Sequence, residues 1–389
     1  MKVSLSSRIQ SIPPYLFAEI DRAIEVKRKS GVDVISLGIG DPDLPTPPHI
    51  VEALRVAAGD KRNHQYPSYQ GLREFREAVA GWYKKRFNVA LDSGSEVVSL
   101  IGSKEGIGHL PLALVDPGDV VLYTDPGYPV YKIGTILAGG KPVPISISRE
   151  NNFLPDLSAV PKDSLKKAKL LFVCYPNNPT GATAEKEFYK EVVDFAVDNN
   201  IVVAHDAAYS EVAFGGYKPM SFLEVAGAKD VGIEFHSLSK TYNMTGWRIG
   251  MVVGNPDVVR ALGKVKENVD SGVFQAVQIA GVAALNGSQK CVSDNMKILE
   301  KRRDNIVKTL SGLGWDVRPP KASYYIWFPV PTKGISSVDF AKTVLDKAGV
   351  VVTPGVGFGQ YGEGYIRISI TQSDERINEA LERLKKLKV

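Results

Sequence analysis

KLLFVCYPNNPTGATAEKEFYKEVVDFAVDNNIVVAHD, residues 169–206, decides the fold class. An apolar run without alternation comes first, then a turn rich in Pro, Asn and Gly, a stretch at helical spacing and a second apolar run. Strands buried on both faces read as continuous apolar runs, and strand–helix–strand is the βαβ unit. A mostly parallel sheet covered on both faces is therefore expected. The same alternation continues upstream through GLREFREAVAGWYKKRF, EVVSLIG, KEGIGHLPLALV, DVVLYTDP, VYKIGTILAGG and KPVPISI, and downstream through VGIEFHSLS and RIGMVVG. The middle of the chain is α/β.

Farther out the pattern changes. FAEIDRAIEVKRKS (17–30) has a helical apolar stripe ended by Gly31, and follows Ile12-Pro13-Pro14-Tyr15, where each proline holds its predecessor extended. Val34 to Leu37 reads as a short strand, and HIVEALRVAAGD resumes helical spacing up to Gly59. A long helical tract covers 257–312. After it, GWDVRPPKASYYIWFPVP, VDFAKTVLDKAG, VVVTPG, YIRISIT and the amphipathic DERINEALERLKKL describe a smaller α+β unit.

Composition narrows the function. With 389 residues, 44% hydrophobic and 23% charged, the chain has material for two or three domains with real cores. Forty-eight basic against 43 acidic side chains leave +5, spread along the chain, which gives no reason to expect a nucleic-acid partner. Cys174 and Cys291 stand alone, without a CxxC or Cys/His cluster, so no disulfide framework or zinc site is suggested and a reducing cytoplasm is the expected home. Neither a signal-peptide core nor an apolar run of membrane-spanning length is read.

A Walker A loop, GxxxxGK[ST], is absent. Gly357-Phe358-Gly359-Gln360-Tyr361-Gly362 matches GxGxxG, but it precedes a strand, whereas a dinucleotide fingerprint opens a helix. Gly102-Ser103-Lys104-Glu105-Gly106 lies between an apolar run and a helical stretch, where free N–H groups favour an anion. The sharpest segment is FHSLSKTYNMTGWRIG, 235–250: Lys240 between hydroxyls at Ser237 and Ser239, with Arg248 beyond, has the ingredients of a carbonyl-capturing lysine and a phosphate clamp. A solvated lysine in a serine-rich loop is the plain alternative. YPNNPTG at 175–181 and HDAAYSE at 205–211 weigh against it, because each follows a predicted parallel strand, where open α/β sheets bind ligands.

With GIGDPD at 38–43, YPSYQGLREFREAVA at 66–80, DPGYPVY at 125–131 and YIRIS at 365–369 added in this order, the chain resembles the fold-type I, class I/II pyridoxal-phosphate aminotransferases over nearly its full length. The resemblance implies the PLP-dependent transferase fold type I, with a mostly parallel central sheet in a large domain and a smaller α+β domain. It divides the chain into an arm and part of the small domain at 1–45, a large cofactor-binding domain at 46–285 and a small domain at 286–389. Lys240 would attach covalently to the pyridoxal phosphate aldehyde and, once displaced by substrate, move a proton at the substrate Cα. Asp206 would pair with the ring nitrogen, Asn178 and Tyr209 with the ring's phenolic oxygen, and Tyr128 would stack on its face. Ser103, Lys104, Ser237, Ser239 and Arg248 would hold the phosphate, with Tyr66 entering from the partner of a homodimer. Arg367 would fork the substrate α-carboxylate.

Within the family the nearest resemblance is to the LL-diaminopimelate aminotransferase group, through IPPYLFAEI, VISLGIGDPD and KASYYIWFPVP. Tyr15 and Gly40 would then line the substrate site beside Lys104, Tyr128 and Asn178. The implied reaction exchanges an amino group between LL-diaminopimelate and 2-oxoglutarate on the route to lysine. Aspartate, alanine or aromatic transamination, and a carbon–sulfur lyase, share the cofactor residues. Plant-type members carry Gly-Ala-Glu-Gln-Gly after the cofactor tyrosine; here Tyr69 takes the glutamate's slot, so the substrate's far end is handled differently. His109, His205, His236 and Cys174 read as structural, His205 because neighbours on a strand face opposite ways.

Overall fold

The structure is a computed structural model that describes residues 3–14 and 16–387. Its strands are β1 (Ile35–Ser36), β2 (Val97–Leu100), β3 (Val120–Asp125), β4 (Lys141–Ser146), β5 (Ala168–Cys174), β6 (Val202–Asp206), β7 (Gly232–Ser237), β8 (Gly250–Gly254), β9 (Tyr325–Pro329), β10 (Val350–Val351), β11 (Thr353–Pro354) and β12 (Tyr365–Ser369). Seven form one sheet in the order β2-β8-β7-β6-β5-β3-β4, parallel except for β8, which runs antiparallel to both β7 and β2.

The continuous apolar runs have the expected cause. Along β5, Leu171 and Val173 enter one hydrophobic cluster while Leu170, Phe172 and Cys174 enter another on the opposite face. Phe188 and Val192 of helix Lys186–Asn199 and Phe75 and Trp82 of helix Arg73–Phe87 cover the first; Ile107 and Leu110 of helix Ser103–Leu114 and Val258 and Leu262 of helix Pro256–Val269 cover the second. The sheet is thus buried on both sides, which leaves the strand ends and the loops beyond them as the place for a ligand.

A further core gathers Ile326 and Phe328 of β9, Ile366 and Ile368 of β12, Phe340 and Val344 of helix Ser337–Ala348, and Leu381 of helix Asp374–Lys385. Ile35 and Leu37 join it from the other end of the chain, because β1 pairs in parallel with β10, Ile35 opposite Val350. The strand expected over 34–37 shortens to Ile35–Ser36. The helical tract at 257–312 divides into helices Pro256–Val269, Gln275–Asn286 and Lys290–Gly312, with the chain turning at 270–274 and 287–289. Among the described residues no helix is long and apolar enough to cross a membrane.

Candidate active site

A cavity of about 410 Å³ opens where the C-terminal ends of the parallel strands meet the segment after β1 and the strand β12. Lys240, Ser103, Lys104, Tyr128, Asn178, Asp206, Tyr209, Ser237, Ser239, Arg248, Gly40 and Arg367 all line it. Tyr66 does not: in the single chain it is 89% exposed and stands outside this wall. Tyr15 lies outside the described residues.

Strand ends deliver several of these side chains. β6 ends on Asp206, and a residue earlier His205 points to the opposite face, where its Nδ1 is 2.8 Å from Glu234 Oε2. Asp206 is buried; Tyr131 Oη donates to its Oδ2 at 2.8 Å and the Ala208 amide to its Oδ1 at 3.3 Å. Burial pushes this carboxyl above the usual carboxylate range, with Tyr131, Ala208 and the nearby His205 pulling the other way. β7 ends on Ser237, whose Oγ accepts from the Ser239 amide at 3.2 Å and caps the short helix Leu238–Thr241 carrying Lys240.

Lys240 Nζ donates to the Gly40 carbonyl at 3.0 Å, and Tyr324 Oη donates to the Lys240 carbonyl at 2.7 Å, so the lysine is held at both ends. Burial first, then Arg248 and Arg367 against the opposing charge of Asp41, lower its pKa to about 8. At pH 7.5 roughly a quarter of such an amine is unprotonated, against about one part in a thousand at an ordinary lysine pKa. Lys104 is also pulled down, by burial and by Arg248. These are the marks of cations gathered before their counter-anion arrives.

The anion's place can be read from the backbone. Helix Ser103–Leu114 starts after Gly102, whose φ of 72° is left-handed, and a Cβ there would lie 2.3 Å from Arg248 Nη2. Only glycine lets the guanidinium reach the helix start, where unpaired amide N–H groups and the helix dipole favour a phosphate. Arg248 itself adopts φ 56°, a conformation costly for a non-glycine residue, and is fixed by donation from Nη1 to the Thr245 carbonyl at 2.8 Å.

Across the cavity Arg367 is 1% exposed. Its Nη1 donates to Asn178 Oδ1 at 2.8 Å and its Nη2 to the Gly38 carbonyl at 2.6 Å, and the guanidinium carbon lies 4.0 Å from the Tyr325 ring centroid and 4.5 Å from that of Phe358. Two residues the motifs did not single out matter here. Tyr325 lines the cavity, shares a 2.9 Å hydrogen bond with Tyr209 and approaches so closely that a Cβ on Gly40 would sit 2.3 Å from its hydroxyl. Tyr131, the last residue of DPGYPVY, stacks on Phe172 beneath the site and orients Asp206.

A family model described as aminotransferase class I and II matches residues 32–384. The chain belongs to this family. As an aminotransferase it is 60% identical to the LL-diaminopimelate aminotransferase of Desulforudis audaxviator over 98% of this chain and 97% of that one, and 55% identical to that of Aquifex aeolicus over 99% of each. Among solved structures, substrate-bound BacF from Bacillus subtilis superposes with a TM-score of 0.95 at 38% identity, covering 99% of this chain and 98% of that one. The mostly parallel sheet with a second α+β core is the architecture the resemblance implied.

Two other polar groups of the aminotransferase bear on chemistry. Glu105, His109 and Asp270 have the spacing of a metal-ligand set, but the buried Lys266 ammonium lies 3.0 Å from Glu105 and 3.1 Å from Asp270, so a cation already balances them. The GxGxxG segment forms two short 3₁₀ turns, and the Tyr361 amide donates to Asp125 Oδ1 at 3.1 Å, which ties that loop to the end of β3.

Proposed function

We propose that the protein is a pyridoxal-phosphate-dependent aminotransferase that exchanges an amino group between LL-diaminopimelate and 2-oxoglutarate, acting as a cytoplasmic homodimer. The observation that carries the cofactor reading is one cavity holding a lysine with its pKa lowered to about 8, a buried aspartate and a cationic helix start. The names of relatives 54–60% identical over nearly their whole length support the substrate. The donor set fits the cofactor: Asp206 answers a ring N–H, Ser103, Lys104, Ser237, Ser239 and Arg248 answer a phosphate dianion, and Asn178 and Tyr209 answer a phenolic oxygen. When bound, pyridoxal phosphate supplies an aldehyde that captures an amine and a ring that accepts the electron pair left on the substrate Cα.

The chain's own residues do the rest. Lys240, in its unprotonated form, would take the proton from the substrate Cα and return it two atoms along, on the carbon beyond the amino nitrogen; its bond to the Gly40 carbonyl aims the amine. Arg367, clamped between Asn178, Gly38 and two aromatic rings, presents a fixed fork to the α-carboxylate, so the Cα proton is brought to the lysine in one orientation. Asp206 stays ionised through the hydroxyl of Tyr131 and its ion pair with the ring nitrogen. The exposure of Tyr66 and of Arg248 in the single chain supports a second copy covering this mouth and delivering Tyr66 to the phosphate. We read 46–285 as the cofactor-binding domain, and 1–45 with 286–389 as the domain that supplies Arg367 and closes on substrate.

A half-reaction screen tests the reading. Loaded enzyme is mixed with LL-diaminopimelate, glutamate, aspartate, alanine, tyrosine and cystathionine, and conversion of the cofactor to its amine form is followed by absorbance. Reaction with LL-diaminopimelate and glutamate is expected. Reaction with aspartate or alanine but not LL-diaminopimelate assigns a general aminotransferase, and release of pyruvate or ammonia from cystathionine assigns a lyase.

A further inference from the structure

The chemistry proposed above employs every cation in the cavity and one of its carboxylates. Lys104 and Arg248 face the phosphate, Lys240 the reacting carbon, Arg367 the α-carboxylate and Asp206 the ring nitrogen. Two carboxylates lining the same cavity remain: Asp21, on helix Leu16–Lys29, and Asp41, in the segment after β1. Both are exposed at the mouth. Neighbouring acids are engaged elsewhere: Asp43 holds Arg302 at 2.7 Å, and Asp33 holds Arg376 at 2.8 Å and Arg383 at 2.7 Å. Among the described residues, Asp21 and Asp41 have no such ion pair.

The position of Asp41 is constrained by chemistry already described. It follows Gly40, whose carbonyl accepts from Lys240 Nζ at 3.0 Å, and its charge acts on that ammonium from the rim. Among the described lining residues, a cationic group on a substrate anchored at Lys240 and Arg367 therefore meets Asp41 and Asp21 as carboxylates without an ion pair. A substrate with a single amino group offers them nothing, because that group is consumed at the reacting carbon.

We propose that Asp41 and Asp21 hold the distal ammonium of a diamino dicarboxylate and so set the preference for that substrate over mono-amino donors. The inference rests on the substrate reading above and adds the groups that read the substrate's far end. Asp21 comes from the N-terminal helix and Asp41 from the segment before helix Pro48–Ala58, so the far end is gripped from two separate parts of the chain. An exposed carboxylate loses much of its attraction to solvent and salt. Each contact is thus worth about tenfold in kcat/KM, below a buried charge-assisted hydrogen bond and above a free surface pair.

The test uses the loaded enzyme and the variants Asp41→Asn, Asp21→Asn and the double variant. kcat/KM is measured for LL-diaminopimelate, for glutamate and for 2-aminopimelate, which has the same carbon chain without the distal amine. The ratio of LL-diaminopimelate to glutamate is expected to fall about tenfold in each single variant and further in the double, carried mainly by KM. The wild-type preference for LL-diaminopimelate over 2-aminopimelate should collapse in the double variant. Asp41 also raises the Lys240 pKa, and loss of that influence acts on all donors alike, leaving the ratios unmoved. A double variant with both ratios intact overturns this inference while the substrate reading stands. A wild-type enzyme inert to LL-diaminopimelate but active on other donors overturns both.

Discussion

Tyr131→Phe removes one hydroxyl from beneath the active site and leaves the ring stacked on Phe172. That hydroxyl donates to Asp206 Oδ2 at 2.8 Å, and both residues are buried. A hydrogen bond to a charged group contributes about 1.5–3 kcal/mol, so by linkage its loss lifts the already raised Asp206 carboxyl further. The sign follows: a carboxyl raised in the folded state is increasingly protonated as pH falls, and a protonated Asp206 cannot pair with a cationic ring nitrogen. The variant should bind pyridoxal phosphate about ten- to a hundredfold more weakly, with the deficit growing from pH 8 to pH 6. Titration of apoenzyme with cofactor at several pH values, followed by visible absorbance, measures it directly. Affinity within threefold of wild type at every pH would refute the claim that Tyr131 keeps Asp206 ionised.

Three further outcomes follow from the same geometry. With Lys240 lowered to about 8, cofactor capture by apoenzyme should accelerate roughly tenfold per pH unit below 8 and level off above it, and stopped-flow capture rates that stay flat from pH 6 to 9 contradict the lowered value. Arg367→Lys keeps the charge but loses the fork, so KM should rise about ten- to a hundredfold for every amino donor with a smaller change in kcat; an effect confined to one donor denies Arg367 its role. Burial raises Asp125 from 3.8 to about 6, so its contribution to stability is full below about pH 4 and lost as pH rises through 6; Asp125→Asn should therefore gain Tm relative to wild type between pH 4 and 7, and a flat difference refutes the assignment.

What was legible in the sequence follows from where polar groups could go. In a sheet with both faces covered, polar residues at the end of an apolar run have only the loop crevice to enter, so Asn178, Asp206 and Ser237 announced themselves as a set. Tyr131 and Tyr325 lie within motifs but carry no local sign of their roles, since a tyrosine in an apolar context reads as core until its hydroxyl's partner is known, and those partners, Asp206 and Tyr209, lie far along the chain. The reversal of β8 was hidden because RIGMVVG is as apolar as its parallel neighbours and direction leaves no mark on composition. Asp21 was out of reach for another reason: nothing local in an amphipathic helix says which exposed carboxylate turns toward a cavity built from residues near 40, 240 and 367.

His205 and Asp206 are neighbours, and the alternation of a strand gives them separate work that experiment can tell apart. Glu234 on β7 is fully buried and accepts from Tyr83 Oη at 2.8 Å, Ser221 Oγ at 2.9 Å and the Phe222 amide at 2.9 Å, with His205 Nδ1 at 2.8 Å. The other His205 nitrogen lies 3.0 Å from the Tyr175 carbonyl, where the loop carrying Asn178 leaves β5. Carboxylate, imidazole and carbonyl thus tie three adjacent strands together behind the sheet, and it is the ends of those strands that present Asn178, Asp206 and Ser237. Burial alone would push Glu234 up; its donors, His205 first among them, bring it below the usual range. Removing the imidazole leaves a buried carboxylate short of a partner, which costs about 3–5 kcal/mol. His205→Ala should therefore lower Tm by several degrees in apoenzyme and holoenzyme alike, whereas Tyr131→Phe acts mainly on cofactor affinity. If His205→Ala instead weakened cofactor binding with apoenzyme Tm unchanged, the imidazole would belong to the site and not to the frame behind it.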